Sequence, residues 1–575
     1  MEKKKRNTFI TGGIMLVAAI CRIGLANWLG IWFPCAQVYD DALLVRYADL
    51  TSHFNEPNID SLLKYLGYPV YLNAVSKTPF SYATVTAAVW ILAALCVFFV
   101  AKRLTGNRIF SLVAYLYTLY LPVAFDLYCG TRLYRNALIA PFACISLTCM
   151  GWLILYIKDD KRSIVKSILL GILTGVSFTW CYYMKEDGIW LKACLLFTFL
   201  YAGISFLVCL IRKRQRNLRA VVSALLLAAI PVLIYKYTTI QYTNKNYESF
   251  GVYDLNTRTE GQLGEFVNSV YKIKSENRTA DVWAPYDAIV QAFEASPTLS
   301  EHPELLQAVH DSPWRAGNVE ENPITGDFLT WVLRTALDNT HIWEDEKQIS
   351  DLFGKVNKEI QTAFDDGRLQ KETDRIQLLG SAGGRTIPEI LDLFPLVVES
   401  FKGVIVQKGV QPGCLLVGPE EIEGQPELCE AAAELTHTEY LTDYSFRFNT
   451  VLRATAFCRV LTMIYMGLNL VLFLGSVGII LFQIFVFLVH LGHMKKYRKE
   501  RGAAFEKTFM ALVMYGVACV YAFGICWFSS FLGEQALVFL NYYNIALPCI
   551  MTLAYLLSWS SLFGNKIKRK NKGEN

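Results

Sequence analysis

The stretch 189–211, IWLKACLLFTFLYAGISFLVCLI, is one of about ten apolar runs of some twenty residues in this chain. A helix of about twenty apolar residues crosses a hydrocarbon layer about 30 Å thick. With 53% hydrophobic and 18% charged residues in 575, the composition is that of a membrane protein and not of several soluble domains. The sequence therefore predicts an all-α polytopic membrane protein with about ten transmembrane helices; the other runs are 8–33, 83–100, 109–125, 137–157, 164–184, 220–240, 461–489, 508–531 and 536–560.

Basic residues fall in every second short loop, and such loops are held on the cytoplasmic side of a membrane. They are the N-terminus and the segments 102–108, 158–162, 212–219, 495–507 and 566–572. This alternation predicts a multi-pass protein of the cell (plasma) membrane with both termini cytoplasmic. The loops that carry Asp40, Arg132 and Lys185 are then extracytoplasmic.

A long polar insert, residues 241–450, interrupts the membrane runs and shares the outer side in this topology. It carries about 35 acidic against about 17 basic residues, and its apolar residues recur mainly at helical spacing. The positive remainder of the chain lies in cytoplasmic loops, so it predicts contact with anionic membrane lipids and not with nucleic acid. We expect three parts: a membrane module of seven transmembrane helices (1–240), a mainly helical extracytoplasmic domain (241–450), and a C-terminal module of three transmembrane helices with a basic cytoplasmic tail (451–575). Segment 387–410 is predicted to be an interfacial helix or a re-entrant segment.

The first outer loop, residues 34–82, is too long to be a simple connector. Its apolar pattern predicts two short amphipathic interfacial helices on the membrane surface, with Gly67 and Pro69 breaking the second. Asp40 and Asp41 open this loop at the water–lipid boundary. A helix N-cap accounts for one of them, and a catalytic or ligand role is the alternative for the other.

Three further groups of charged residues lie in or near membrane runs. Arg132 and Arg135 are three apart and share one face if a helix has begun there; guanidinium groups suit a phosphate, although snorkelling arginines are the alternative. Lys185, Glu186 and Asp187 form a tight turn that is either simply solvated or brings a lysine to a phosphate and carboxylates to a divalent cation. Arg22 and Lys236 lie inside apolar runs, where an ionisable residue has a functional role or a buried partner.

The segments DDALLVRYADL (40–50), GYPVYLNAVSK (67–77), TRLYRN (131–136) and KEDGIW (185–190) resemble motifs of the GT-C superfamily of integral-membrane glycosyltransferases, and more closely those of a bacterial branch of it. The resemblance covers residues 8–240. It implies that a sugar is transferred from a polyprenyl-phosphate donor to an acceptor hydroxyl of a surface or cell-wall glycan, on the outer membrane face and with inversion.

The same resemblance implies roles for individual residues. Asp40 or Asp41 would be the general base, and the leaving phosphate would be held by Arg132, Arg135 and Lys185. Glu186 and Asp187 are a weak match to the second acidic motif of the superfamily, which leaves a divalent cation (Mg²⁺ or Mn²⁺) or acceptor contact open. Lys185 departs from the pattern because arginine is expected there, and the insert matches no part of it.

Two other functions compete with this interpretation. A lipid-linked glycan flippase or transporter would show related halves and broken helices at mid-membrane, and the sequence shows neither. A non-catalytic cell-envelope assembly protein would leave Asp40, Asp41 and the arginine pair without a task.

Overall fold

The computed structural model describes residues 2–33, 39–159, 162–211, 218–312, 317–378, 380–415, 425–438 and 447–563. The basic tail 566–572 and most of the basic loop 212–219 lie outside these residues. The first ten helices are α1 (Glu2–Leu29), α2 (Tyr39–Ala48), α3 (Leu50–Asn55), α4 (Gly67–Ser76), α5 (Tyr82–Thr105), α6 (Arg108–Leu119), α7 (Asn136–Tyr156), α8 (Ile164–Met184), α9 (Ile189–Ile211) and α10 (Leu218–Phe250).

Helices also dominate the rest of the described chain. The insert contains α11 (Gly261–Val270), α12 (Tyr286–Ala295), α13 (Pro297–Ser300), α14 (Pro303–His310), α15 (Leu329–Asn339), α16 (Glu346–Asp365), α17 (Ile387–Leu391), α18 (Phe394–Ile405) and α19 (Pro426–Thr436). The C-terminal part contains α20 (Phe448–Val489), α21 (Met494–Ser529), α22 (Gln535–Val538), α23 (Leu540–Tyr543) and α24 (Leu547–Ser560). Only isolated β-bridges occur among the described residues.

Nine segments of the described chain are helical, apolar and long enough to cross a membrane, which confirms the polytopic helical fold. They are α1, α5, α6 with the following 3₁₀ turn Pro122–Phe125, α7, α8, α9, α10, α20 and α21. Two boundaries differ from the predicted ones. Helix α1 ends at Leu29 and not at residue 33, because Gly30 adopts a left-handed φ of 79°. Helix α20 begins at Phe448, well before residue 461. Its first part is helical without being apolar throughout, so the apolar run alone does not mark its start.

The tenth predicted crossing, residues 536–560, is not one helix. Its long helix, α24, has 14 residues, about 21 Å of rise, and the short helices α22 and α23 precede it. The segment nevertheless reaches both ends of the bundle. Tyr542 stacks on Tyr134 at one end, and the carbonyl of Phe563 accepts a hydrogen bond from Lys507 at the other.

The first loop contains three helices, α2, α3 and α4, where two were predicted. Gly67 and Pro69 do not break a helix; they begin α4, because a proline in the first helical turn lacks only an N–H that has no partner in the helix. The loop packs against the insert: Thr257 N donates to the carbonyl of Leu62 at 2.8 Å. We call the end of the bundle where this loop and the insert lie the insert side.

The insert has a hydrophobic core built mainly from α11 to α16, and part of that core comes from elsewhere. Trp527, in the last turn of α21, and Phe531, in the 3₁₀ turn that follows it, are buried within this core. Trp527 Nε1 donates to the carbonyl of Gly383 at 3.1 Å, and Arg385 Nη2 donates to the carbonyl of Trp527 at 3.1 Å. The last long membrane helix therefore completes the core of the insert.

The segment predicted to be interfacial or re-entrant, 387–410, forms the short helices α17 and α18. Four apolar side chains spaced three or four residues apart are exposed along them: Ile387, Leu391, Phe394 and Val398. An apolar stripe of this kind is typical of a helix that lies in a membrane interface.

Candidate functional site

Asp40 and Asp41 occupy the first turn of α2, where carboxylates interact favourably with the helix dipole. Their side chains differ in environment. The side chain of Asp41 is completely buried, whereas that of Asp40 is 31% exposed. The two adjacent carboxylates therefore cannot have the same role.

Asp41 forms a bidentate ion pair with Arg132. Nε and Nη2 of Arg132 donate to the two oxygens of Asp41 at 2.8 and 2.6 Å. A short parallel bridge positions the arginine, because Trp32 N donates to the carbonyl of Thr131 at 2.8 Å and Leu133 N donates to that of Trp32 at 2.7 Å. Burial raises the pKa of Asp41 to about 6, and the charge of Arg132 offsets only part of that effect.

Aromatic rings surround the guanidinium of Arg132. Its Cζ lies 5.5 Å from the ring centroid of Trp32, 5.2 Å from that of Tyr134 and 5.5 Å from that of Tyr542. Such cation–π contacts offset part of the cost of burying the charge. Tyr542 comes from α23, so the C-terminal module also contributes to this site.

Asp40 contacts Lys64, a residue that the sequence analysis did not select. Its Oδ2 accepts hydrogen bonds from Lys64 Nζ at 2.9 Å and from the Tyr134 hydroxyl at 3.2 Å. Burial alone would raise the pKa of Asp40, but the charges of Lys64 and Arg135 outweigh it and hold the pKa below its usual range. Burial lowers the pKa of Lys64 to about 8.

Arg135 is bound to Glu186 and not to Asp40 or Asp41. Its Nη1 donates to both oxygens of Glu186 at 2.9 and 2.8 Å, and its Nε donates to the Tyr134 hydroxyl at 3.1 Å. Glu186 also accepts from Tyr65 N at 3.1 Å. Burial acts to raise the pKa of Glu186, but the charges of Arg135 and Lys64 lower it to about 2.

The helical spacing predicted for Arg132 and Arg135 is wrong. Helix α7 begins at Asn136, after both arginines, and each arginine binds a different carboxylate. In the described part of the chain, Nη1 of Arg132 and Nη2 of Arg135 have no hydrogen-bond acceptor.

Lys185 and Asp187 pair with each other at 2.7 Å. Lys185 Nζ lies 5.8 Å from the ring centroid of Tyr543. Among the described residues, no hydrogen bond or ion pair joins Lys185 or Asp187 to Asp40, Asp41 or the two arginines. The predicted set of site residues is therefore divided into a main group and this separate pair.

The insert contributes to the main group. Arg258 Nη2 donates to Asp327, and the charge of Arg258 acts on Asp40 and Glu186. Trp331 covers Lys64, whose Nζ is 5.1 Å from its ring centroid. We call this group the ion cluster; it comprises the carboxylates Asp40, Asp41, Glu186 and Asp327 and the cations Lys64, Arg132, Arg135 and Arg258.

Sequence reasoning missed Lys64, Tyr134, Arg258 and Trp331. Lys64 had one signal, a lone charge in the apolar stretch SLLKYLGY (61–68), and Tyr134 lies within the quoted TRLYRN segment. Arg258 and Trp331 had no signal of their own, because only the folded insert brings them to the first loop.

The ion cluster is a poor match for the divalent cation that the resemblance left open. Asp40, Asp41 and Glu186 are each engaged by a lysine or an arginine, so a metal ion would have to compete with those charges. Among the described residues, no group of three His, Cys, Asp or Glu side chains is placed to hold a metal ion.

The arrangement can accept a proton and bind an anion at one place. Asp40 is the most exposed of three carboxylates in the cluster. The side chains of Asp40, Asp41 and Glu186 are 31%, 0% and 8% exposed. Close to it are a buried lysine and two guanidinium groups that each keep a nitrogen without an acceptor among the described residues.

The chain was compared with protein-family models, with curated proteins and with solved structures, and none of them matches it.

Proposed function

We propose that this protein is a GT-C-type membrane glycosyltransferase, which transfers a sugar from a polyprenyl-phosphate donor to a hydroxyl of a surface or cell-wall glycan. The observation that carries the proposal is the position of Asp40. It is an ionised carboxylate, open to solvent and within hydrogen-bond distance of the cation Lys64. A glycosyl transfer of this kind requires both a proton acceptor and a cation for the leaving phosphate.

In the proposed reaction, Asp40 acts as the general base. The acceptor hydroxyl attacks the anomeric carbon, its proton passes to Asp40, and the bond from that carbon to the phosphate oxygen breaks with its electron pair remaining on the phosphate. A single displacement of this type inverts the anomeric carbon. Asp41 is unsuited to the same role, because it is buried and both of its oxygens are held by Arg132.

The leaving phosphate gains negative charge, and three cations of the cluster can stabilise it. Lys64 is proposed to turn from Asp40 to the phosphate, which would at the same time free an oxygen of Asp40. Arg132 and Arg135 would each donate a hydrogen bond to the phosphate from the guanidinium nitrogen that has no acceptor among the described residues. Asp41 and Glu186 then serve as positioning residues that fix the two guanidinium groups.

The proposed topology places this reaction on the extracytoplasmic face of the cell membrane, with both termini in the cytoplasm. The alternation of basic loops supports that orientation. The insert would meet the glycan acceptor, since Arg258 and Trp331 bring it next to Lys64 and Asp40. The polyprenyl chain would remain in the bilayer beside the membrane helices.

Mass spectrometry of surface glycans tests the proposal. In a strain that lacks the gene, we expect the loss of one sugar decoration, restored by the wild-type gene. Asp40→Asn should fail to restore it at equal membrane levels, whereas Asp60→Asn, an isosteric change in the same loop, should restore it. Full decoration with Asp40→Asn would refute the base assignment, and an accumulated intact lipid-linked oligomer in the deletion strain would favour a flippase.

A further inference from the structure

Arg22 is a buried charge inside the first membrane helix. It lies in the span Thr8–Leu29, and the residue is 2% exposed. Its guanidinium stands over the ring of Phe125, with 4.3 Å from Cζ to the ring centroid. The other ionisable residue that the sequence predicts inside a membrane run, Lys236, is exposed on α10 and not buried among helices.

The charge of Arg22 has no counter-ion in the described part of the chain. None of the ion pairs among the described residues includes it, and its buried Nε has no hydrogen-bond acceptor there. One aromatic face offsets only part of the cost of a full charge at membrane depth. Arg162 also has a buried Nε without an acceptor, but its other two guanidinium nitrogens donate to the carbonyls of Ile157 and Ala220.

A small cavity adjoins Arg22. It has a volume of about 20 Å³, and its lining includes Gly30, Tyr82, Thr86 and Thr131 but no Asp or Glu. That volume is above the about 10–15 Å³ that one water molecule needs, so it limits an occupant to a single small ion and excludes a lipid phosphate group.

Hydroxyl groups beside the cavity can donate to an anion. The hydroxyls of Tyr82 and Tyr68 are 3.1 Å apart, as are those of Thr86 and Tyr71. Each pair has two protons and uses one in the hydrogen bond between them. When Tyr68 and Tyr71 donate, the protons of Tyr82 and Thr86 are left for another acceptor.

A second guanidinium lies near the rim of the cavity. Arg447 Nη2 donates to the carbonyl of Asn27, and it lies 3.8 Å from the point where a Cβ on Gly30 would stand. The charge of Arg22 and the hydroxyl donors therefore favour an anion, and the volume limits it to one small ion.

We propose that the cavity beside Arg22 binds a small monovalent inorganic anion of the halide class, for which chloride is the natural candidate. Arg22 supplies the charge and the hydroxyls of Tyr82 and Thr86 supply hydrogen bonds. This site is separate from the ion cluster and does not depend on the proposed glycosyl transfer. Its anion neutralises a charge that would otherwise stand alone among packed helices.

Thermal unfolding of the purified full-length protein in detergent tests this site. Replacing gluconate by chloride at constant ionic strength should raise the unfolding temperature of the wild type, because a ligand that binds only the folded state stabilises it. Arg22→Met should lose that chloride response. Arg162→Met is the matched control: it also removes a buried arginine beside a phenylalanine, and it should keep the response.

Crystals soaked in bromide give a second readout that does not depend on whether Arg22→Met folds. We expect an anomalous peak within hydrogen-bond distance of the Arg22 guanidinium in the wild-type protein. An unfolding temperature that does not change with chloride, together with no bromide peak, would overturn the proposal. Density for a lipid phosphate at Arg22 would also overturn it, because the occupant would then not be a halide.

Discussion

Asp41 and Arg132 are 91 residues apart in sequence and form a two-point ion pair with no exposure of the carboxylate. The pair joins the first turn of α2 to the loop before α7, so it fixes the first loop to the membrane helices. Beside it, Asp40 keeps an open edge. Adjacent aspartates thus divide two tasks, one holding the site together and the other facing the solvent.

Asp41→Asn should destabilise the protein strongly, because it leaves the buried guanidinium of Arg132 without its counter-ion. We expect a loss of about 3–5 kcal/mol in the free energy of unfolding, measured by denaturation in mild detergent. The double variant Asp41→Leu with Arg132→Met should recover much of that loss. Asp159→Asn removes one partner of the exposed Arg103–Asp159 pair and should cost at most about 1 kcal/mol. Equal effects of Asp41→Asn and Asp159→Asn would contradict this account.

Lys64 should make donor binding depend on pH. Its pKa is about 8 in the folded protein, so the lysine is charged below pH 8 and loses its charge as the pH rises above that value. Affinity for a short-chain polyprenyl-phosphate sugar, a phosphodiester of constant charge, should therefore fall by up to about tenfold per pH unit above about pH 8. Titration calorimetry would measure it.

Lys64→Met should bind the same donor weakly and with no pH dependence over that range. Lys77→Met changes an exposed lysine of the same loop and should preserve both the affinity and the pH profile. If Lys64→Met kept the wild-type profile, Lys64 would have no contact with the phosphate.

Gly67→Ala should disturb the docking of α4 against the end of α8. A Cβ at this position would overlap the backbone carbonyl of Tyr183, and backbone cannot move aside as a flexible side chain can. We expect a destabilisation of about 1–3 kcal/mol and a loss of transfer activity, since the neighbouring Glu186 holds Arg135. Gly151→Ala lies in α7 with open space around it, so it should be neutral or slightly stabilising. A Gly67→Ala protein as stable as Gly151→Ala would be inconsistent with this close approach.

Trp527→Ala should open the core of the insert. The side chain is buried there with Phe531, and its Nε1 donates to Gly383. Removing it should cost about 3–5 kcal/mol and expose the insert to limited proteolysis while the membrane helices stay protected. Trp28→Ala provides the control, because Trp28 is 60% exposed on α1. Equal proteolysis of the two variants would show that Trp527 does not close the insert.

The membrane part of the fold could be predicted because hydrophobic runs of fixed length are a property of the sequence itself. Helix ends were less predictable: the left-handed Gly30 ends α1 early, and α20 extends beyond its apolar run. The prediction of a single helix for the tenth run was wrong, because average hydrophobicity does not reveal the interruptions before α24.

The topology predicted from the sequence puts five charged residues at one end of the bundle, and in the structure they lie together. They are Asp40, Asp41, Arg132, Arg135 and Glu186. It could not predict which charge pairs with which. Arg135 and Glu186 are 51 residues apart, and Tyr65 and Glu186 are 121 apart, so their pairing depends on how three loops pack. Lys64 was missed for the same reason, and the catalytic and phosphate-binding roles stay predictions.

The presence of Trp527 and Phe531 in the core of the insert has a consequence for biogenesis. Residues 241–450 are synthesised before residue 527, so the insert keeps an unfinished interior until α21 has been made and has packed against it. Truncation of the chain before α21 would thus leave an insert that cannot complete its core, even though all of residues 241–450 had been made.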